Sequence, residues 1–336
     1  MGIFDKRVRC KPYEYGYLMQ VRDAITDNRW HAEEYLSEIS QDIQDYHTVL
    51  TEPERNFVKN AMLAISQVEV ETVKTFWAKI GDWLQKPEIA MVGATLAENE
   101  VTHFEAYSLL LEKLGLNDEF DKLLQNDVIQ NRINYLTKYL KGSGDNVKEF
   151  LVLQLILFSL LVENTSLFGQ FYALKSLRRH KNLLKGIDNV VLATQQDEMV
   201  HAMFGVELIK IIKEENPDWF NEDFYKKIYR ACKKAYEAEE KIIDWMFEMG
   251  DLPYISAAEV KEFIKQRINV SLDMMGGLPI FTVDPVLIGK TKWFDEESMG
   301  YIRNDFFNTK SRNYNKKLVT KDDILSAIRR FNDEMV

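Results

Sequence analysis

The chain has 336 residues, 46% of them hydrophobic and 29% charged, with a formal net charge of −10. That composition fits one large or two ordinary soluble domains, and the negative balance argues against nucleic acid or a membrane surface as a main partner. Cys10 and Cys232 are the only cysteines and lie far apart, which excludes a disulfide framework and fits a reducing cytoplasm.

Residues 1–29, rich in Tyr, Lys and Arg, predict an irregular arm without an apolar signal core. From Trp30 to about Leu50 the pattern is helical, with Tyr35, Ile39, Ile43 and Tyr46 near one face. Thr51-Glu52-Pro53-Glu54 reads as a capping box that opens a long helix to about Leu84. Lys86-Pro87-Glu88 restarts the chain, and the next helix runs to Leu114 before Gly115. Shorter helices fill 118–141 and end at Gly142-Ser143-Gly144. Residues 147–177 predict the most apolar helix; its run Leu151 to Val162 is too short for a membrane span and reads as a central core element. Helices at about 184–214, 222–249 and 256–275 follow, the first broken by Asn216-Pro217 and the last by Gly276-Gly277-Leu278-Pro279. With no sustained strand alternation, the expected fold is one all-α bundle with a loop-rich C-terminal segment.

Two triplets on apolar helices carry the chemistry. Glu100 and His103 stand three residues apart, as do Glu198 and His201, so each pair shares a helix face. Such a triplet is weak evidence alone: 53 acidic residues and five histidines in 336 yield roughly 0.8 by chance. His31, His47 and His180 have no such carboxylate, however. Glu69 shares its face with Met62, Ile65, Val73 and Phe76 and is expected inward, whereas Glu71 faces outward with Lys74 and Thr75. Glu163 shares a face with Ile156, Leu160 and Leu167. Ionised carboxylates at inward positions are costly without a cation. Two Glu-x-x-His helices plus one Glu from each of two more make the ligand set of a dimetal carboxylate site in a four-helix core. Carboxylate and imidazole donors without thiolate suit iron or manganese. Tyr107 lies one helical turn after His103, within reach of an oxidant formed there.

At these residues the chain resembles the radical-generating small (beta) subunit of class I ribonucleotide reductase, of the ferritin-like superfamily, from about Phe4 to Tyr314. The order acidic residue, Glu-x-x-His, Glu, Glu-x-x-His is matched by Glu69, Glu100, His103, Glu163, Glu198 and His201. The resemblance implies a ferritin-like domain over 30–300, with residues 301–336 as a tail that docks on a large catalytic subunit. It also implies a homodimer and a cytoplasmic location. Two metal ions are implied, iron with iron first and manganese with iron or manganese with manganese as alternatives. Tyr107 falls at the radical tyrosine, and Asp197, Trp30 and Tyr314 fall at radical-transfer positions. The sequence departs from the family at Glu69, where Asp is usual, and over Asn315 to Val336, which lacks the usual acidic, aromatic tail. Within that tail Thr320 reads as an N-cap, and Ile324, Leu325, Ile328, Phe331 and Met335 recur at helical spacing. Two distant cysteines cannot supply the clustered thiols of ribonucleotide reduction, and no phosphate-binding glycine loop is evident. The rivals are a ligand-binding dimetal oxidase of the same superfamily and a non-catalytic, ferritin-like metal-binding protein.

Overall fold

A computed structural model of the chain describes residues 2–69, 73–141 and 147–308. Tyr314, the expected helix beyond Thr320 and the outward Glu71 lie outside the described residues. Thirteen α-helices are present among the described residues: α1 (Met19–Asp27), α2 (Leu36–Gln44), α3 (Glu52–Val68), α4 (Lys74–Trp83), α5 (Pro87–Lys113), α6 (Asn117–Leu123), α7 (Asp127–Lys141), α8 (Val147–Leu155), α9 (Leu167–Lys181), α10 (Lys185–Glu215), α11 (Glu222–Met246), α12 (Ala257–Met274) and α13 (Pro285–Asn308). The only β-pairing described is an isolated bridge between Leu252 and Ile255.

Local chemistry accounts for several of these boundaries. The capping box at α3 forms: the Glu54 carboxylate accepts from the Thr51 backbone N–H at 2.8 Å and is gripped by Lys181 at 2.7 Å. Asn221 caps α11 through the Phe224 N–H, and Ser256 caps α12 through the Glu259 N–H. After α5 the chain turns at Gly115, whose φ of 72° is left-handed.

Two expectations change. Residues 19–27 are a helix rather than part of an irregular arm, because Met19, Val21, Ala24 and Ile25 bury one face against the bundle. The stretch before α1 is tied down as well. Ile3 N–H donates to Glu215 at 2.6 Å, the Tyr15 hydroxyl donates to the same carboxylate, and Glu14 and Tyr15 N–H both donate to Glu88. The C-terminal segment is not loop-rich over 285–308; α13 forms there and lays Trp293 and Phe294 against Tyr172 and Phe263. Over 52–84 the described residues are helical, as α3 and α4, with Glu69 and Val73 in π-helical conformation at their facing ends.

The centre of the bundle is the continuous helical stretch Val147–Lys181, formed by α8, a π-helical segment Ile156–Ser166 and α9. It is the one described helix long and apolar enough to cross a membrane, and 89% of its apolar window is buried inside the protein. A helix apolar on all sides belongs in the middle of a bundle. In the π-helical segment the Thr165 hydroxyl donates to the Leu160 carbonyl at 2.8 Å, five residues back. This segment packs on α9, α10 and α12, while α5 packs on α3, α4 and α10.

The approach of α10 to the π-helical segment is set by two small residues. A Cβ added at Gly205 would overlap the Ser159 side chain, whose hydroxyl is already turned back to the Leu155 carbonyl at 2.6 Å. Gly205 lies one turn beyond His201, and Ser159 lies one turn before Glu163. Gly205→Ala should therefore cost roughly 1–3 kcal/mol through overpacking, offset in part by about 1 kcal/mol of helix propensity. Adding Ser159→Gly should recover most of the loss in denaturant unfolding. A single variant at least as stable as wild type would remove this contact as a constraint.

Candidate metal centre

Four helical elements deliver six side chains to one point. Glu69 stands at the C-terminal end of α3, Glu100 and His103 on α5, Glu163 in the π-helical segment, and Glu198 and His201 on α10. All six are 0% exposed. Glu69, Glu100, His103 and Glu198 form one group and Glu100, Glu163, Glu198 and His201 a second, with candidate ligand atoms in each group within 4.8 Å of one another.

Glu100 and Glu198 belong to both groups, and their two oxygens divide between the histidines. Glu100 sets Oε2 3.3 Å from His103 Nδ1 and Oε1 2.9 Å from His201 Nδ1. Glu198 sets Oε1 3.0 Å from His103 Nδ1 and Oε2 3.3 Å from His201 Nδ1. Glu69 approaches only the His103 side, at 3.8 Å, and Glu163 only the His201 side, at 3.6 Å. Each half thus has one carboxylate of its own, one imidazole and a share in two bridging carboxylates.

Both oxygens of Glu69, Glu100 and Glu198, Oε2 of Glu163 and Nδ1 of both histidines have no hydrogen-bond partner. Orphaned buried polar atoms are costly, and a cluster of them facing one another needs an explanation. Two divalent cations fit: four carboxylate charges balance two ions, and oxygen and imidazole nitrogen are their natural donors. Without cations, protons must do the balancing. Burial, together with the charges of Glu100 and Glu198, pushes Glu69 well above the carboxylate range. Burial does the same to Glu163. Burial also works upward on Glu100, but the two imidazoles, His201 foremost, hold it below its usual range. Burial works against protonated imidazoles, yet Asp197 and the carboxylates hold His103 well above its ordinary value, and Glu100 chiefly does so for His201. Cations entering this cluster displace those protons.

Around the six lies a set of hydrogen bonds that the sequence signals only in part. Asp197 Oδ2 accepts from Trp30 Nε1 at 2.8 Å, from Asn99 Nδ2 at 3.0 Å and from His103 Nε2 at 3.1 Å. His201 Nε2 lies 2.9 Å from Asn99 Oδ1. Asp197 and Trp30, both expected at radical-transfer positions, are thus joined to the centre, and the Trp30 ring also stacks on His103 with centroids 6.0 Å apart. Asn99 and Trp77 were not expected. Trp77 is fully buried and donates Nε1–H to Glu163 Oε1 at 2.5 Å. Its signal is the apolar face it shares with Ile80 and Val73, which marks a core residue but not a partner for a carboxylate.

Tyr107 is fully buried on α5. Its hydroxyl faces Thr194 Oγ1 at 3.4 Å, and burial pushes the phenol far above its ordinary range, so it is neutral. Near it on α5, Leu110 and Leu111 are buried and Phe104 is half-buried.

Residues 7–286 match the family described as "Ribonucleotide reductase, small chain". The chain is 24% identical over 331 residues to the probable ribonucleoside-diphosphate reductase small subunit 048L of Invertebrate iridescent virus 3, covering 94% of this chain and 86% of that one. Among solved structures, the ribonucleotide reductase R2 subunit from Clostridium botulinum superposes with a TM-score of 0.74 at 17% identity, over 85% of this chain and 89% of that one. A variant R2-like ligand-binding oxidase with an anaerobically reconstituted Mn/Fe cofactor superposes at 0.64 and 18% identity, over 78% and 94%. Both structural likenesses establish the ferritin-like helical fold.

The shared carboxylates make the two halves interdependent but not identical. His201→Ala removes the only imidazole of its half and should lose at least one of two Mn(II) equivalents, counted by the paramagnetic resonance of free Mn(II). Two equivalents bound at wild-type affinity would refute the role of His201 in the centre.

Proposed function

Because the chain belongs to the ribonucleotide reductase small-chain family, we propose that its task is to generate an oxidising equivalent, store it and pass it to a large catalytic subunit that reduces the nucleotide. The chain is the small subunit of a ribonucleoside-diphosphate reductase, an oxidoreductase. Cys10 is exposed and Cys232 is buried, so neither belongs to a thiol cluster of the kind the reduction consumes. That chemistry belongs to the partner.

In this reading Glu69, Glu100, His103, Glu163, Glu198 and His201 hold two ions of iron or manganese, the metals their oxygen and imidazole donors favour. Ions held by these residues would supply the electrons for the reduction of dioxygen, and Tyr107 is the side chain assigned to keep the resulting oxidising equivalent. Tyr107 stores the equivalent as a radical. Its neutral phenol gives up a proton along with the electron, and its burial keeps water and reductants away. Asp197, Trp30 and Tyr314 then carry the equivalent outward. Asp197 holds the Trp30 indole and the His103 imidazole on one oxygen, and this hydrogen-bonded run is the observation that carries the proposal. A ligand-binding oxidase shares the fold but acts on a molecule at its own centre and has no use for an indole coupled outward. Residues 301–336 are the docking tail, with the apolar stripe from Ile324 to Met335 seated in a groove of the large subunit. The subunit works as a homodimer.

Two substitutions separate storage from transfer. Tyr107→Phe should bind two ions and lose any tyrosyl resonance after aerobic loading; full reductase activity in that variant would place the stored oxidant on the metals instead. Trp30→Phe should form the radical normally while turnover with the large subunit falls at least about 100-fold, or roughly 2.7 kcal/mol in barrier. Undiminished turnover would take Trp30 off the route.

A further inference from the structure

We infer that Asn99 is a positioning residue: its side-chain amide relays the hydrogen-bonding demand of Asp197 to His201, so that one carboxylate fixes which ring nitrogen of both histidines is bare. The inference rests on the dimetal reading and concerns a residue to which neither the family resemblance nor the Glu-x-x-His pattern assigns any role.

The argument starts at Asp197 Oδ2. An indole N–H can only donate, so Trp30 at 2.8 Å makes this oxygen an acceptor. The Asn99 amide has one end at the same oxygen, 3.0 Å away. Were its carbonyl turned that way, two acceptors would meet in a buried place. The NH₂ end therefore faces Asp197, and the carbonyl Oδ1 faces His201 Nε2 at 2.9 Å. A carbonyl accepts only, so Nε2 of His201 carries a hydrogen. That leaves its Nδ1 as the donor atom toward Glu100, Glu163 and Glu198. His103 reaches the same state directly, with Nε2 on Asp197 at 3.1 Å and Nδ1 among Glu69, Glu100 and Glu198.

The placement is reciprocal. Asn99 immediately precedes Glu100 on α5 and serves the histidine of α10. Asp197 immediately precedes Glu198 on α10 and serves the histidine of α5. Each helix thus orients the imidazole of the other, and the direct bond between Asn99 and Asp197 joins the two halves. The halves differ in one respect. His103 is held by a carboxylate oxygen and His201 by a neutral amide, and hydrogen bonds to ionised acceptors are the stronger kind.

The test uses the full chain and Mn(II) alone. Wild type should bind two equivalents. Asn99→Leu, close in shape but unable to hydrogen-bond, should keep one equivalent at wild-type affinity and weaken the other about 10- to 100-fold. Asp197→Ala should weaken both. Two unchanged equivalents in Asn99→Leu, or equal weakening of both, would overturn the relay. Failure of wild type to bind two ions would instead overturn the dimetal reading. A second measurement needs no variant: nitrogen NMR of histidine-labelled, Zn(II)-loaded wild type should give two slowly exchanging Nε2–H groups, from His103 and His201. A His201 protonated at Nδ1 would overturn the inference.

Discussion

Four carboxylates in a dry interior are the constraint on which the rest of this structure depends. Moving one such group out of water costs several kcal/mol even after relaxation, and four side by side repel one another as well. The bundle bears this only because two imidazoles stand among them and because the arrangement suits two doubly charged cations. Everything nearby serves to hold that arrangement. Trp77 donates to Glu163, and Arg132 donates to the Ala64 carbonyl upstream of Glu69 and to Ser166 just after Glu163. Arg132 is itself buried and answered by Glu239 at 3.5 Å. These buried polar groups are answered by partners, and each would be a liability alone.

The two kinds of helix in the bundle contribute differently. α5 and α10 carry paired ligands at i and i+3, so ordinary α-helical geometry presents both donors at once. The π-helical segment carries a single Glu and admits an extra residue per turn. Asn164, next to Glu163, is held from outside by Arg267, whose Nε donates to the Asn164 carbonyl at 2.9 Å, and by Ser271. Irregular helix at a site of this kind is maintained by side chains that satisfy the displaced backbone groups.

Much of this was legible in the residues. The Glu-x-x-His spacing and the apolar faces around Glu69 and Glu100 pointed inward, and those side chains are buried together. The case for Glu163 was made from one helical face, yet the π-helical segment Ile156–Ser166 is buried on every side, so its position rather than its face decided the outcome. The helix at 19–27 was hidden because charged Arg22, Asp23 and Asp27 interrupt its short apolar stripe. The one at 285–308 was hidden because its mixed pattern becomes amphipathic only against the Tyr172 and Phe263 rings. Asn99 left no mark in one dimension: an Asn beside a Glu on a helix normally faces water, and only the crossing of α5 over α10 turns it inward. Trp77 carried the ordinary signature of a core aromatic.

The oxygen at which Trp30, Asn99 and His103 converge also bears on how such a chain can change over generations. Three donors from two separate stretches of sequence share one acceptor atom. A replacement at Asp197 strands all of them at once, whereas a replacement at any one donor leaves the other two in place. Drift at these four positions is therefore lopsided: Trp30 and Asn99 can be exchanged singly and reverted, while Asp197 is entrenched by all three donors and His103 by its place among the carboxylates. Lineages that abandon the outward route should lose the indole first and the carboxylate last.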